Sequence, residues 1–437
     1  MNYKLLIGCF FATLCLHSDV TSQAPLTLEE AVSKSLANNF QIVLAQMQVE
    51  IAENNNSWGQ TSALPTIGLS GAYNNNVSDQ SQNPTAFIRE KLISTGVQYG
   101  AALNWTLFDG FGMFATKRQL ELLEEQSEGN ASLVVENTVQ GVVLAYYNAL
   151  VQKEKLQVLE EVITLSRDRL AYMKVKQEMG AATTFEILQF DNAIIADSSN
   201  YLLQQLALNN AMRNLNLFMA EDLETEWDLT TSMVAPELNY DLASIWSEVK
   251  NNNQAMRNQM VNSLLAEQDL RLAKAGMFPV IGFAAGINDS QNTFRAGELQ
   301  GDGKTLNYFG NFTLNFNLFN GGKTRRAIQN AHIREEMATI SIDDLSKRTE
   351  SELRNTFNLY EAQRDIYDMT AKNVQNQKTS LDIAADRFNN GVISSFDYRS
   401  VQVAYLNAAM QRIESMNNLL STHTNLVRLR GGLIKAN

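Results

Sequence analysis

The chain has 437 residues and a formal net charge of −12, with 35 Lys and Arg against 47 Asp and Glu. This balance argues against nucleic-acid binding, because no basic stripe is available for phosphate groups. It fits a solvated acidic surface or a cavity that attracts cations. The length alone suggests two or three globular domains.

Residues 1–22 are predicted to be a secretory signal peptide. Lys4 supplies the positive charge that opens such a segment, and residues 5–16 supply its apolar stretch. Small residues allow cleavage after Ser22 or after Ala24. Beyond this segment no apolar run reaches about 18 residues, so no membrane-spanning helix is expected.

Both cysteines, Cys9 and Cys15, lie inside the predicted signal peptide. The mature chain would therefore contain no disulfide, no thiolate metal site and no cysteine nucleophile. The residues Leu6, Ile7, Gly8 and Cys9 resemble a lipoprotein box, but the segment before Cys9 is too short for an apolar h-region.

The next part of the chain, a first repeat over 23–220, predicts three helices and two strands from apolar spacing and from alternation. In the first of these helices, 26–63, Thr27 is a suitable N-cap with Glu30 as its capping-box partner, and Pro65 is expected to end the helix. The longest stretch of helical spacing, over 111–179, predicts one helix or two stacked ones, about 100 Å long if continuous. The predicted helices are 26–63, 111–179 and 184–219; the predicted strands are 64–76 and 97–108, with a polar loop over 77–96.

A connecting segment over 221–241, with one short strand over 226–231, leads to a second repeat over 242–432. Pro279 stands before a predicted strand as Pro65 does in the first repeat. The predicted helices are 242–277, 321–390 and 392–430; the predicted strands are 278–288 and 306–319, with a polar loop over 289–305 and a tail over 433–437.

The two repeats share one register, which predicts an internal duplication. Three pairs of residues have the same offset of 211 positions: Phe108 and Phe319, Gly180 and Gly391, and Phe185 and Phe396. In each repeat a strand also leads into a helix through one turn. The turn residues are Phe108, Asp109 and Gly110 in the first repeat and Phe319, Asn320 and Gly321 in the second.

Each of the four strands has one apolar face and one face rich in Asn, Thr, Gly and Gln. In a soluble sandwich the apolar face would be the core, whereas in a membrane barrel it would contact lipid. The predicted strands have 11–14 residues and form hairpins about 200 residues apart, which favours the barrel. Four strands cannot close a barrel, so two copies would share eight strands, or three copies would share twelve around a pore.

Pro65 and Pro279 before strands, the Leu-Phe-Asp-Gly and Leu-Phe-Asn-Gly turns after strands, and the glycines before paired helices resemble the TolC-type outer-membrane efflux proteins. The resemblance covers nearly all of the mature chain. It implies a mostly α-helical fold with a membrane β-barrel. This would be a homotrimer with a twelve-stranded barrel in the bacterial outer membrane and a twelve-helix barrel in the periplasm, with Gly180 and Gly391 at the far hairpin tips.

The same resemblance implies the exit duct of a tripartite efflux or secretion system, passive and not an enzyme, with no cofactor. Its partners would be a periplasmic adaptor and an inner-membrane transporter of the RND or ABC type. The sequence does not indicate the substrate class. Two alternatives remain open: a soluble periplasmic coiled-coil scaffold or adaptor, and a secreted hydrolase, which only the signal peptide supports.

In the family that the chain resembles, carboxylates six positions after each hairpin glycine form a ring at the periplasmic entrance. The matching residues here are Glu186 and Asp397, which would otherwise be solvated charges on a helix face. Gln189 and Ser400 stand where a further carboxylate is often found. Phe388 replaces a tyrosine of relatives with a locked gate, so it cannot donate the hydroxyl hydrogen bond.

Gly180 and Gly391 are expected to be helix C-caps with positive φ, which is compatible with a role in adaptor docking. Phe388, three residues before Gly391, is also assigned to the hairpin tips and to adaptor docking. Phe185 and Phe396 begin the returning helices. We expect them to pack each hairpin against its neighbour rather than to shape a docking groove.

No catalytic, cofactor or metal site is predicted. Asp289 and Asp302 lack the full spacing of a calcium loop and are expected in a surface turn. Gly110 and Gly112 belong to a strand–helix turn, because no basic residue or Ser/Thr stands where a phosphate loop needs one. The three histidines are isolated from one another: His17, His332 and His423.

Overall fold

The computed structural model describes residues 24–236 and 241–433. The predicted signal peptide over 1–22, part of the connecting segment and most of the tail lie outside these residues. The helices are α1 (Leu28–Asn38), α2 (Phe40–Asn55), α3 (Gly112–Glu178), α4 (Thr184–Met219), α5 (Leu242–Asn252), α6 (Gln254–Ala275), α7 (Lys323–Asn389) and α8 (Ser395–Leu429). The strands are β1 (Ala24–Leu26), β2 (Thr66–Asp79), β3 (Lys91–Phe108), β4 (Trp227–Leu229), β5 (Val280–Ala296) and β6 (Leu299–Asn315).

Four strands form one antiparallel sheet in the order β2-β3-β5-β6. The central pairing of β3 with β5 joins the two halves of the chain, from Leu92 opposite Ala296 to Phe108 opposite Ile281. The sheet is open in the described residues, with β2 and β6 as its edges. β1 and β4 pair separately and in parallel, and β4 lies within the short strand predicted over 226–231.

The sheet strands extend further than their sequence pattern predicts. The prediction of a loop over 289–305 is wrong. β5 runs to Ala296 and β6 begins at Leu299, so the two strands meet in a turn at Gly297, whose φ is 58°. The loop predicted over 77–96 is likewise shorter in the structure, since β2 runs to Asp79 and β3 begins at Lys91. Both faces are largely polar there, so the alternation ends while the backbone pairing continues.

The first predicted helix of each repeat is divided by an asparagine. Asn39 ends α1 and caps α2, and its amide donates to the Phe218 carbonyl at 2.8 Å. Asn253 separates α5 from α6 in the same way and donates to the Leu429 carbonyl at 3.1 Å. Both breaks depend on a distant helix, so the single helices predicted from local spacing are wrong.

The two prolines stand directly before strands, Pro65 before β2 and Pro279 before β5. Pro65 does not end a helix, because α2 already ends at Asn55 and a 3₁₀ turn over Trp58–Thr61 follows. The capping box of Thr27 and Glu30 is confirmed at the start of α1. The last strand, predicted to reach 319, ends at Asn315.

The long helices α3 and α7 each have 67 residues, about 100 Å at 1.5 Å per residue. α3 is therefore one helix and not two stacked ones. It packs against α2 and α6 near the sheet and against α4 and α8 further away, while α7 packs against α6 and α8. This leaves α2 and α4 on one open side of the helix layer and α7 on the other.

Three clusters of buried apolar side chains hold the helices together. The first surrounds Tyr146 of α3, whose hydroxyl donates to the Leu26 carbonyl of β1 at 2.8 Å. The second surrounds Tyr360 and joins α5, α7 and α8. The third surrounds Phe388 and Tyr398, where α3, α4, α7 and α8 approach the predicted hairpin tips.

Candidate functional site: the hairpin tips and the sheet faces

Each hairpin turns at a glycine in the left-handed conformation, with φ of 72° at Gly180 and 71° at Gly391. After Gly391, the Val392 amide donates to the Arg387 carbonyl at 2.9 Å, and the first tip has the equivalent bond. This arrangement closes the C-terminus of a helix. Both glycines therefore cap their helices, as the sequence predicts.

The two carboxylates predicted for an entrance ring close the N-termini of the returning helices. Glu186 accepts bonds from the Thr183 amide and hydroxyl at 2.8 and 2.9 Å. Asp397 accepts the same pair of bonds from Ser394 at 3.1 and 2.7 Å. Both pairs are capping boxes, and the hydroxyl bond from Ser394 lowers the pKa of Asp397 from its ordinary value. A ring across several copies stays a prediction.

Hydrogen bonds link the two hairpins close to their tips. The Ser395 hydroxyl of α8 donates to Gln189 of α4 at 2.7 Å. Two side chains of α3 hold the end of α7, since Arg169 donates to the Asn389 side chain at 2.6 Å and Tyr172 to its carbonyl at 3.1 Å. The two hairpin tips of one chain are thus held together by hydrogen bonds.

A buried ion pair ties α4 to α8. Arg399 donates to both carboxylate oxygens of Asp197, at 2.8 and 2.7 Å, and the Asp197 side chain is only 2% exposed. Arg399 also donates to Gln402, whose amide donates to the Ser166 hydroxyl of α3 at 3.0 Å. The sequence analysis missed this network. Its available indication is that Asp197 follows the buried Phe190 by seven residues, at the spacing of an apolar helix face.

Phe388 is buried rather than presented at the tip. Its ring is 4% exposed and stacks on Tyr398 with centroids 5.3 Å apart, and it meets Phe190 at 5.8 Å. Its assignment to a docking surface is wrong, because the apolar ring completes a core between helices. Phe185 and Phe396 are each 69% exposed, so they do not pack against a neighbouring hairpin of the same chain.

The strand–helix turns have the same backbone shape in both halves. Gly110 and Phe111 have φ of 72° and 68°, and Gly321 and Gly322 have φ of 67° and 76°. A Cβ on Gly110 would lie 2.5 Å from the Ala275 carbonyl, so this turn also needs glycine for space.

The side chains that anchor these turns differ between the halves. Phe108 packs edge-on against Phe111, with centroids 5.3 Å apart, whereas Phe319 is exposed. Asn320 donates to a hydroxyl of α7 at 2.8 Å. At the matching position, one carboxylate oxygen of Asp109 is buried without a hydrogen-bond partner. Equal positions in the sequence therefore have different contacts.

The two faces of the sheet differ chemically. Directly paired residues share a face, and the register collects exposed apolar residues from all four strands on one side: Ile67, Leu69, Tyr99, Trp105, Ile287, Tyr308, Phe312 and Leu314. The opposite face consists mainly of Asn, Ser, Thr, Gln, Gly and Ala, and none of its side chains within the four strands is ionisable. The apolar face ends near the ion pair of Asp289 with Lys304, at 3.4 Å. Asp289 lies in β5 and Asp302 in β6, so the prediction of a surface turn for these two residues is wrong.

Within residues 24–236 and 241–433, no group of three His, Cys, Asp or Glu side chains is arranged to hold a metal ion. In the same two segments, the helices lack a stretch that is both long and apolar enough to cross a membrane.

The family model for outer membrane efflux proteins matches residues 31–221 and 245–432. The chain belongs to the outer membrane efflux protein family. No curated protein sequence matches it.

Solved structures of outer membrane channels have the same fold. The CmeC channel of Campylobacter jejuni superposes with a TM-score of 0.78 at 18% identity, over 93% of this chain and 85% of that one. VceC of Vibrio cholerae gives 0.74 at 13% identity, over 93% and 96%. The open state of MtrE of Neisseria gonorrhoeae gives 0.69 at 15% identity, over 93% and 89%.

Family membership gives this outer membrane efflux protein its place and general role. It is an outer-membrane exit duct for an efflux system, and its helical part extends into the periplasm. Such proteins are transport ducts and not enzymes. Of the two alternatives that the sequence left open, the soluble periplasmic scaffold or adaptor is not favoured.

Proposed function

We propose that three copies of this chain form one passive duct, a closed β-barrel in the outer membrane continued by a periplasmic α-helical barrel. The observation that carries this proposal is the open sheet, with unpaired edges at β2 and β6 and with one apolar and one polar face. Unpaired edges are not tolerated in lipid. Three sheets of four strands give twelve strands, which leaves room for a water-filled lumen.

The helix layer supports the same arrangement. Its two open sides, α2 with α4 and α7, both carry exposed apolar residues. On the first side these include Phe40, Leu44, Met47, Ile51 and Leu203, and on the second Ile333, Met337 and Ile340. Open sides at matching edges of sheet and helices fit a head-to-tail contact that closes by rotation.

The native mass of protein extracted by detergent from purified outer membranes tests this assembly. We expect the mass of three chains plus detergent, converted to a monomer by heating. Ile340→Asp on α7 should reduce the trimer fraction, whereas Ser341→Asp, one residue further along, should leave it unchanged. A monomer in the outer-membrane fraction would contradict the trimer and leave the family assignment intact.

We further propose that the tips dock a periplasmic adaptor, coupled to an inner-membrane transporter of the RND or ABC type. Four exposed apolar side chains at the tips support this role: Met179, Phe185, Val392 and Phe396. A photo-reactive residue at position 185 or 396 should cross-link to a periplasmic protein that mass spectrometry identifies as an adaptor. The same residue at position 343, in the first third of α7 and far from the tips, serves as the control. Adducts of equal yield at all three positions would contradict docking at the tips.

We also propose that Glu186 and Asp397 of three copies form an acidic ring at the periplasmic entrance. Glu186→Gln with Asp397→Asn removes the charges but keeps the oxygens that accept the capping bonds. The tips should therefore stay folded while cation selectivity in planar bilayers falls. Asp343→Asn with Glu361→Gln removes two exposed charges of α7 away from the tips. If both pairs change selectivity equally, or neither does, the carboxylates only cap their helices.

A further inference from the structure

On the polar face of the sheet, large side chains lie over glycines of the neighbouring strand. The four pairs stand directly opposite in register: Asn292 and Gly96, Asn288 and Gly100, Phe309 and Gly286, and Phe294 and Gly301. A Cβ on Gly96 would collide with the Asn292 side chain, and a Cβ on Gly286 would lie 2.8 Å from the Phe309 ring. The space that each glycine leaves is thus filled by its partner.

The glycines allow these partners to lie along the sheet. Side chains of a strand normally stand roughly perpendicular to the sheet. Asn292 instead occupies the place of the missing Gly96 side chain, and its amide donates to the Ser290 hydroxyl at 2.9 Å. With a side chain at position 96, Asn292 would have to turn away from the sheet.

Because the polar face carries no charge, we expect it to select solutes mainly by their size. Its strand side chains are amides, hydroxyls and apolar groups, and none is ionisable. The charged side chains of the four strands lie on the opposite face, where Asp289 and Lys304 form an ion pair. Salt at about 0.15 M screens more distant charges beyond about 8 Å.

We infer that the glycines of these four pairs set the width of the duct along its sheet-lined part, because they let bulky partners lie against its wall. The inference rests on the proposed trimer, in which the polar face lines the lumen. Gly96 and its three counterparts are then determinants of substrate size. The solutes they admit are those that fit the bore, regardless of the sign of their charge.

A single cysteine at position 104 can report passage past Gly96. Asn104 lies on the same face of β3, eight residues closer to the helices, which is about 27 Å along the strand. Reagents added outside intact cells must pass the pair of Gly96 and Asn292 to reach it. Labelling rates are measured for N-ethylmaleimide and for a graded series of uncharged polymer maleimides. The chain without Asn104→Cys gives the background.

Gly96→Ala should slow labelling by the largest admitted polymer at least about threefold while N-ethylmaleimide reacts as before. Adding Asn292→Ala should restore the polymer rate. Asn292→Ala alone should leave that rate within about a factor of two, because a side chain that lies flat does not obstruct the bore. Heat-modified gel mobility shows that each variant assembles.

The inference is overturned if assembled Gly96→Ala labels like its parent, if the double variant stays slow, or if Asn292→Ala alone strongly accelerates the polymer. Side chains that cover glycines also stabilise sheets. A purely structural role would change the heat stability of the trimer but not the dependence of labelling on polymer size. A monomeric parent protein would instead contradict the proposed duct.

Discussion

Asp397 has a local role that its distance from Gly391 does not reveal. The segments from Thr183 to Glu186 and from Ser394 to Asp397 both have the spacing of a capping box. The sequence therefore contained this role, although position relative to the hairpin glycine suggested only a ring. Capping and a ring are compatible, since each carboxylate has more than one acceptor site.

Acid should loosen the start of α8 through Asp397. The bond from the Ser394 hydroxyl lowers the pKa of Asp397 from its ordinary value of 3.8. Its stabilising effect is therefore complete above that value and is lost as the pH falls through the lowered folded pKa. Hydrogen exchange of the Asp397 amide, normalised to the intrinsic rate, should rise in this range relative to the middle of α8. Asp397→Asn should lack this rise, and an identical pH response in both proteins would contradict the explanation.

Within α3, two effects of a glycine compete at Gly141. Alanine would gain about 1 kcal/mol in helix propensity. Its Cβ would lie 2.5 Å from a ring atom of Phe218 in α4, and such overpacking costs about 1–3 kcal/mol. We expect Gly141→Ala to lower the midpoint of thermal unfolding of the helices, followed by circular dichroism. Phe218→Leu in the same chain should recover most of the loss, and a more stable Gly141→Ala would show that the ring moves aside freely.

Glu136 is a second place where α3 is not optimised for stability. Burial raises its pKa, although Arg428 acts in the opposite direction. The folded protein therefore holds this proton to higher pH than the unfolded chain does, so the carboxylate destabilises the fold at neutral pH. The effect is about 1.4 kcal/mol per unit of difference in pKa.

We expect Glu136→Gln to raise the unfolding temperature at pH 7 and to have little effect near pH 4. Glu128→Gln, at an exposed position of the same helix, is the matched control and should change neither value. A lower unfolding temperature of Glu136→Gln at pH 7 would mean that attraction to Arg428 outweighs the cost of burial.

The spacing of apolar residues in the sequence predicts those helices that bury one continuous apolar face. The bounds of α3, α4, α7 and α8 lie within a few residues of those predicted, because their spacing is set by local contacts. Elements that depend on distant partners could not be predicted in this way. The outer halves of β5 and β6 are held by backbone pairing, and the break at Asn253 by the Leu429 carbonyl. No single-sequence pattern pairs Asp197 with Arg399.

In the whole molecule, adjacent residues of β6 face opposite surroundings. Phe312 lies on the exposed apolar face, and Asn311 lies on the polar one. A lysine that faces lipid near the bilayer midplane costs about 2–4 kcal/mol. Phe312→Lys should therefore reduce the trimer recovered from outer membranes at least about tenfold. Asn311→Lys should assemble and shift ion selectivity toward anions, and equal recovery of both variants would contradict the assignment of the two faces.

The pairing of β3 with β5 also determines the order in which the parts of the chain can fold. The chain between them contains α3 to α6, so the hairpin of β2 and β3 is synthesised long before its partner strand. During this delay the hairpin has two unpaired edges and an apolar face in water, the condition that invites aggregation. Helices α3 and α4 are neighbours in sequence and can pair early, whereas the sheet needs a long-range contact and forms slowly. The first hairpin therefore stays open to aggregation until the second half of the chain arrives and β5 pairs with β3.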